Sequence, residues 1–251
     1  MKLLGVVIGC IGILSLGATE ILFDGSDPQG WESKSRLPSE NGITQSVLTY
    51  LPLLSKEFIP VEKGKKYTVS GEFRLQGPQT AMVYFGLIPY TADGEAIPFA
   101  AIQAVSPRIA LLAEPVKPGS KVIRVKNASD WNFVPNCRLA FNAKEDKSDI
   151  PNLELSPVIA VSEIVISEDG TAEIAFKTAI KKGFPADTPV RLHQSGNSYI
   201  YAGFGQEKGT WMAFSKKYAS FYPGCVKFKV ALSAAGPRIP VEFRNVKVEV
   251  E

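Results

Sequence analysis

Apolar and polar residues alternate along most of the chain, in short stretches that end at glycine or proline. The clearest stretch covers residues 67–75, where apolar side chains fall on one face and polar side chains on the other. The inward set is Tyr67, Val69, Phe73 and Leu75. Alternation with a period of two predicts a β-strand with one buried face, whereas helical periodicity is scarce. We therefore predict an all-β protein.

The stretches 82–88 and 226–232 alternate in the same way, so each is predicted to form a strand. Their inward sets are Val83, Phe85 and Leu87, and Phe228, Val230 and Leu232. The last stretch, 241–250, changes phase by one residue in its middle. That change predicts a β-bulge near Arg244 and Asn245.

The middle third of the chain has a different pattern of apolar and charged residues. Residues 113–192 contain several short apolar segments, and a charged loop at 142–151 interrupts them. We interpret this segment as a small β domain inserted between the two halves of a larger sheet structure, 19–112 and 193–251. The apolar phrases predicted to be its strands are 122–125, 139–141, 164–166, 172–176 and 190–192.

Residues 1–18 have the order of a signal peptide. Lys2 precedes an uncharged apolar segment, and small residues follow it, so we expect cleavage after Gly17 or Ala18 and a secreted or periplasmic protein. A membrane anchor is the alternative, but an apolar run of roughly 16 residues is short for a span of about 20. Lipidation at Cys10 is a further alternative, which the apolar residues beyond Cys10 disfavour.

Composition argues against several classes of function. The chain of 251 residues has 28 Lys and Arg against 25 Asp and Glu, a balance that gives no electrostatic reason to expect nucleic acid as a partner. The single histidine, His193, excludes zinc motifs that need two histidines. His193 could act as a general base, but no serine or cysteine partner accompanies it, and a structural role is favoured.

Two cysteines, Cys137 and Cys225, follow the predicted signal peptide. In an oxidising compartment they could form one disulfide bond. The alternative is two separate buried thiols. We favour separate thiols, because nothing in the sequence places the two residues near each other.

Two blocks of the chain resemble carbohydrate-binding modules with the galactose-binding-like fold. One block is 58–71, which contains the phrase Lys63-Gly64-Lys65-Lys66-Tyr67. The other is 209–246, which is similar to the closing strands of those modules. The resemblance implies a jelly-roll β-sandwich built from 19–112 and 193–251. The middle segment, 113–192, resembles a small β module found in bacterial exported proteins.

The closing strand of these modules often reads F-D-D-V, with an aspartate that serves a structural calcium ion. This chain has Phe243-Arg244-Asn245-Val246 at that position. An arginine beside an amide is a poor substitute for carboxylates around a hard cation. We therefore expect no metal or other cofactor, although Asp24 or Asp27 could contribute to a calcium site.

The candidate ligand-binding residues are Glu72, Arg74, Tyr84 and Tyr201. The first three have outward phases, so we expect a carboxylate, a guanidinium group and an aromatic ring on one sheet face, with Tyr201 at its rim. Aromatic rings and a few placed polar groups are typical of small-molecule sites. The alternatives are a solvated sheet face with a cross-strand ion pair, and packing of Tyr201 between the jelly roll and the insert.

The resemblance implies an exported, non-catalytic carbohydrate-binding protein, with no membrane partner after signal cleavage. One alternative is a jelly-roll polysaccharide lyase. The Gln-x-His motif of such lyases is missing, because His193-Gln194 has the wrong order and spacing. Another alternative is a structural or adhesive surface module that binds no sugar.

Overall fold

The computed structural model describes residues 19–33, 36–78, 80–160 and 164–251. The predicted signal peptide, with its cleavage site and Cys10, lies outside the described residues. The described chain forms seventeen strands and two short 3₁₀ helices, at Pro28–Gly30 and Phe99–Ala101. The strands are β1 (Glu20–Asp24), β2 (Ser39–Glu40), β3 (Ile43–Leu48), β4 (Leu53–Leu54), β5 (Ile59–Pro60), β6 (Tyr67–Leu75), β7 (Val83–Tyr90), β8 (Ala110–Leu112), β9 (Val122–Lys126), β10 (Arg138–Phe141), β11 (Val165–Ile166), β12 (Ala172–Ala175), β13 (Pro189–His193), β14 (Ile200–Gly205), β15 (Met212–Tyr218), β16 (Lys227–Ala234) and β17 (Ile239–Val250).

Two antiparallel sheets face each other in a jelly-roll β-sandwich. The first sheet has the order β15-β6-β17-β3-β2, with β1 paired to β17. The second sheet has the order β14-β7-β16-β4, with β5 paired to β16. The all-β prediction is confirmed. No helix within the described residues has the length and apolar character needed to span a membrane.

The core of the sandwich is built by the inward sets that alternation predicts. Every second residue of β6 is buried, from Tyr67 to Leu75. The rings of Phe73 on β6 and Phe85 on β7 lie 4.7 Å apart, centroid to centroid, and so join the two sheets. Trp31 is buried beside Phe243, with its ring centroid 5.2 Å away. Such aromatic contacts contribute beyond the area that they bury.

The predicted β-bulge in β17 is confirmed. The register between β17 and β6 shifts between Arg244 and Lys247. Asn245 has a φ of +53°, a left-handed conformation that asparagine tolerates better than most residues. The extra residue turns Val246 into the core, where it is buried, and leaves Asn245 exposed on the outer face.

A third sheet, with the order β10-β13-β8-β9-β12-β11, lies between β7 and β14 in the chain. It has a buried core of its own, which includes Trp131, Phe141 and Phe176. The apolar phrases predicted to be strands in this segment all contribute strands to this sheet. The sheet begins at Ala110 and ends at His193, slightly outside the predicted limits of 113 and 192.

The chain enters and leaves the third sheet through paired backbone. The Gln194 amide donates to the Gln103 carbonyl oxygen, and the Val105 amide donates to the Leu192 carbonyl oxygen, each over 2.9 Å. The two crossing points are therefore neighbours, as an inserted segment requires.

Cys137 and Cys225 are free thiols. Cys137 is buried in the core of the third sheet, and Cys225 is half-buried in the turn before β16. Burial raises the pKa of the Cys137 thiol to about 11. The expectation of two separate thiols is confirmed.

The separate cores lead to a test of domain independence. We predict that deleting residues 104–194 and joining Gln103 to Ser195 through a diglycine linker leaves a cooperatively unfolding β-sandwich. Its melting temperature should fall by several degrees, because hydrogen bonds across the junction are lost. Thermal unfolding followed by circular dichroism checks this. A deletion variant without a cooperative transition would contradict independent folding of the sandwich.

Candidate functional site

The structure divides the four predicted site residues between two opposite surfaces. Glu72 and Arg74 lie on the outer face of the first sheet, whereas Tyr84 and Tyr201 lie on the outer face of the second. Phe73 of β6 and Phe85 of β7 point towards each other across the core. Their neighbours in the chain, Glu72 and Arg74 on β6 and Tyr84 on β7, therefore point away from each other. The prediction that Glu72, Arg74 and Tyr84 share one face is therefore wrong. Alternation along a strand defines its two faces but not the sheet to which the strand belongs.

Glu72 and Arg74 belong to a set of cross-strand ion pairs between β6 and β17. Arg74 Nε lies 2.5 Å from a carboxylate oxygen of Glu242, and Arg244 Nη2 lies 2.6 Å from Glu72 Oε2. Asn245 also donates to Glu72 over 2.9 Å. Hydrogen bonds from Asn245 and Arg244 hold the pKa of the Glu72 carboxyl below its usual range. These charges are mutually compensated, which fits the alternative of a cross-strand ion pair.

Trp211, just before β15, is held by the same two arginines. The guanidinium carbons of Arg74 and Arg244 lie 4.6 Å and 4.2 Å from the centroid of its ring. At these distances a cation–π interaction is attractive. The half-buried Trp211 ring is therefore fixed at the edge of the first sheet.

Tyr84 and Tyr201 meet on the second sheet, together with Phe204. The Tyr84 and Tyr201 ring centroids are 5.7 Å apart, and the Tyr201 and Phe204 centroids are 6.5 Å apart. Phe204 lies directly across from Tyr84 in the β14–β7 ladder. Tyr201 is 36% exposed and Phe204 62% exposed, so this cluster presents aromatic surface to solvent.

Tyr199 packs against this cluster. Its ring stacks on Tyr201 with the centroids 4.9 Å apart, so the two tyrosines lie on the same side as alternation predicts. The Tyr199 hydroxyl lies within hydrogen-bonding distance of the carbonyl oxygens of Tyr84 and Ala231, and burial raises its pKa. Asn197 donates to the Tyr201 hydroxyl over 3.1 Å. The Tyr201 ring is therefore supported on one side by Tyr199 and at its hydroxyl by Asn197.

Strands β14 and β15 are the edges of the two sheets, and they close one side of the sandwich. Gly203 and Gly205 on β14 face inward, towards Phe214 and Met212 of β15. A Cβ atom at Gly203 would lie 2.8 Å from the Cβ atom of Phe214 and closer still to its ring. Only glycine admits the Phe214 ring, which then stacks on the core ring of Phe73 at 5.6 Å.

A groove of about 600 Å³ runs along this closed side between Phe204 and Trp211. The polar side chains that line it belong to Gln206 and Glu207, which are exposed. We call Tyr84, Tyr201, Phe204 and Trp211 the aromatic edge. Trp211 is not among the predicted site residues, because alternation within a strand does not show that β14 and β15, the edge strands of two different sheets, pack against each other.

His193 lies in a buried polar network at the junction with the third sheet. It is fully buried, Arg191 Nε donates to its Nε2 atom over 3.0 Å, and its Nδ1 atom lies 2.6 Å from the Ala100 carbonyl oxygen. Arg191 also pairs with Asp149 over 2.8 Å. Burial of Asp149 raises its pKa, but hydrogen bonds from Asn152 and Arg191 outweigh this effect and lower it. His193 is therefore a structural residue without access to solvent.

The two aspartates considered for calcium make local turns. Asp24 Oδ1 accepts from the Ser26 amide and Asp27 Oδ1 from the Gln29 amide, each over 2.9 Å. Among the described residues, no group of three or more His, Cys, Asp or Glu side chains is arranged to hold a metal ion.

No protein-family model matches this sequence, and comparison with curated proteins and with solved structures finds no match either. The resemblance to galactose-binding-like modules therefore stays an expectation.

The close approach at Gly203 predicts a stability effect. We expect Gly203→Ala to destabilise the protein by about 1–3 kcal/mol, because the added methyl group overpacks against Phe214. Gly30→Ala is the matched control, since its Cβ atom would meet only ordinary van der Waals contacts. Urea denaturation measures both. Equal stability of the two variants would contradict the close approach.

The buried histidine predicts a pH dependence. Burial lowers the pKa of His193 to about 4, against about 6.5 in the unfolded chain. Between these pKa values the unfolded state binds a proton that the folded state does not bind. The free energy of unfolding therefore falls as the pH drops from about 6.5 towards 4. Between pH 7 and pH 4.5 this contribution is about 2 kcal/mol.

Urea denaturation at the two pH values checks this expectation. His193→Asn, which retains a donor for the Ala100 carbonyl, should lose less stability than the wild type over the same pH interval. Identical losses would show that His193 does not carry the effect.

Proposed function

We propose that this protein binds a glycan along the aromatic edge. Three observations support the proposal: the exposed rings of Tyr201 and Phe204, the adjoining groove, and the fixed ring of Trp211 at its far side. Monomeric proteins leave few contiguous aromatic side chains in water unless a ligand covers them. The observation that carries the proposal is the 62% exposure of Phe204 within a cluster of aromatic rings.

Aromatic rings suit sugars because a pyranose ring has apolar C–H faces between its hydroxyl groups. Tyr84, Tyr201 and Phe204 of the aromatic edge lie on strands, and Tyr201 also stacks on Tyr199. The Trp211 ring, just before β15, is held by Arg74 and Arg244. Rigid side chains lose little conformational entropy on binding. Sugar rings stacked on Tyr201 and Phe204 would continue into the groove that Trp211 closes.

Polar groups beside the rings would supply selection among sugars. Gln206 and Glu207 line the groove, and the amide group of Asn197 lies next to the Tyr201 hydroxyl. A small number of placed polar groups fixes the orientation of a ligand that apolar surface holds. Arg74 would act indirectly, as a positioning residue for Trp211, and the compensated Glu72 would not touch the glycan.

The surroundings of His193 do not favour the lyase alternative through this residue. A proton-abstracting base must reach its substrate, and His193 is fully buried with both ring nitrogens in hydrogen bonds. The proposed activity is therefore binding alone, by an exported protein.

We predict that Phe204→Ala weakens binding of the glycan that gives the strongest array signal by at least tenfold. Glycan affinities commonly lie between millimolar and micromolar, so losing one stacked ring removes much of the binding free energy. The melting temperature should hardly change, because the Phe204 ring is mostly exposed. Isothermal titration calorimetry measures the affinity.

Tyr50→Ala is the matched control, because Tyr50 is 72% exposed in the turn between β3 and β4. This variant should bind like the wild type. A Phe204→Ala variant with unchanged affinity would move the site away from the aromatic edge. An array without any binding glycan would contradict the proposed function itself.

A further inference from the structure

A second groove, of about 660 Å³, lies on the part of the chain that forms the third sheet. Segments 153–158 and 177–184 form its walls. The rings of Phe141 and Phe184 stack at its floor, with their centroids 3.9 Å apart and their planes within 7°. This volume lies within the range of small-molecule sites, about 300–1,000 Å³.

Arg138 of β10 lines this groove without a carboxylate partner among the described residues. Its Nε atom is buried and makes no hydrogen bond there. Its Nη1 atom has one long contact, 3.5 Å to the Ser156 carbonyl oxygen. A buried donor on a charged group without an acceptor is costly, and most such groups in proteins are paired. With Nε enclosed and Nη1 only weakly engaged, the terminal nitrogens of this groove-lining guanidinium group can donate to an anion.

Other cationic side chains surround the same groove. Lys177, Lys181 and Lys182 line it, and the one carboxylate in the lining, Glu154, is paired with Lys182. Counting Arg138, the lining has four positive charges against one negative, although the whole chain carries a formal net charge of only +3. The charge of the groove is thus complementary to an anionic ligand.

We propose that this groove binds a small amphipathic carboxylate. Its apolar chain would cover the floor of Phe141 and Phe184, and its carboxylate would accept hydrogen bonds from Arg138. Arginine pairs with carboxylates through two parallel hydrogen bonds, which gives such a contact both strength and direction. The proposal concerns a site separate from the aromatic edge and does not depend on glycan binding.

Calorimetric titration of the intact protein with decanoate, kept below its micelle-forming concentration, tests the proposal. Decanoate should bind at one site per chain, and decanol, which keeps the chain length but not the charge, should bind at least tenfold more weakly. Equal affinities for the acid and the alcohol, or no binding of decanoate, would overturn the proposal.

Two variants and a control locate the site. Arg138→Met should weaken decanoate binding at least tenfold, whereas Arg108→Met should not, because Arg108 lies outside the groove and pairs with Asp130. Ala179→Trp fills the groove from its wall and should abolish decanoate binding while the variant keeps a cooperative thermal unfolding transition. If Arg138→Met fails to fold, this variant still tests whether decanoate binds in the groove. Decanoate binding by Ala179→Trp at wild-type affinity would overturn the proposal.

Discussion

Closure of one side of the sandwich depends on two positions of β14 that carry no side chain. Gly203 and Gly205 let Phe214 and Met212 of β15 approach the backbone of the opposite sheet, so the edges of the two sheets join through close packing. The same strand alternation that turns these glycines inward turns Phe204 outward. Side chains from two different sheets thereby border one groove. Packing at this side of the core and the exposed aromatic edge are consequences of one local arrangement.

Electrostatics has a supporting role on the neighbouring face. The pairs of Arg74 with Glu242 and of Glu72 with Arg244 compensate four charges across two adjacent strands. Partly exposed ion pairs of this kind contribute little to folding free energy, typically 0–1 kcal/mol each. Their more specific effect is positional, because both guanidinium groups also pack against the Trp211 ring. Charges that first suggest a binding face thus hold an aromatic ring beside the groove.

Local features were predictable from the sequence, and long-range pairings were not. Alternation identified the buried residues of β6, and the change of phase identified the bulge at Asn245, because both depend on neighbours in the chain. The common surface of Tyr84 and Tyr201 follows from a ladder between strands more than a hundred residues apart. Sequence pattern alone cannot choose this pairing, and the prediction that Glu72 shares one sheet face with Tyr84 is wrong for that reason. The spacing of Gly203 and Gly205 around Phe204 was the available signal for a close backbone approach.

We propose that the aromatic edge, and not the charged face of the first sheet, contacts a glycan. Backbone amide chemical shifts of the isotope-labelled protein, followed during titration with an array-selected oligosaccharide, test this most directly. We expect the largest shift changes in residues 197–213 and small changes at 70–74 and 242–245. Changes concentrated at Glu72, Arg74 and Glu242, with residues 197–213 unaffected, would contradict it.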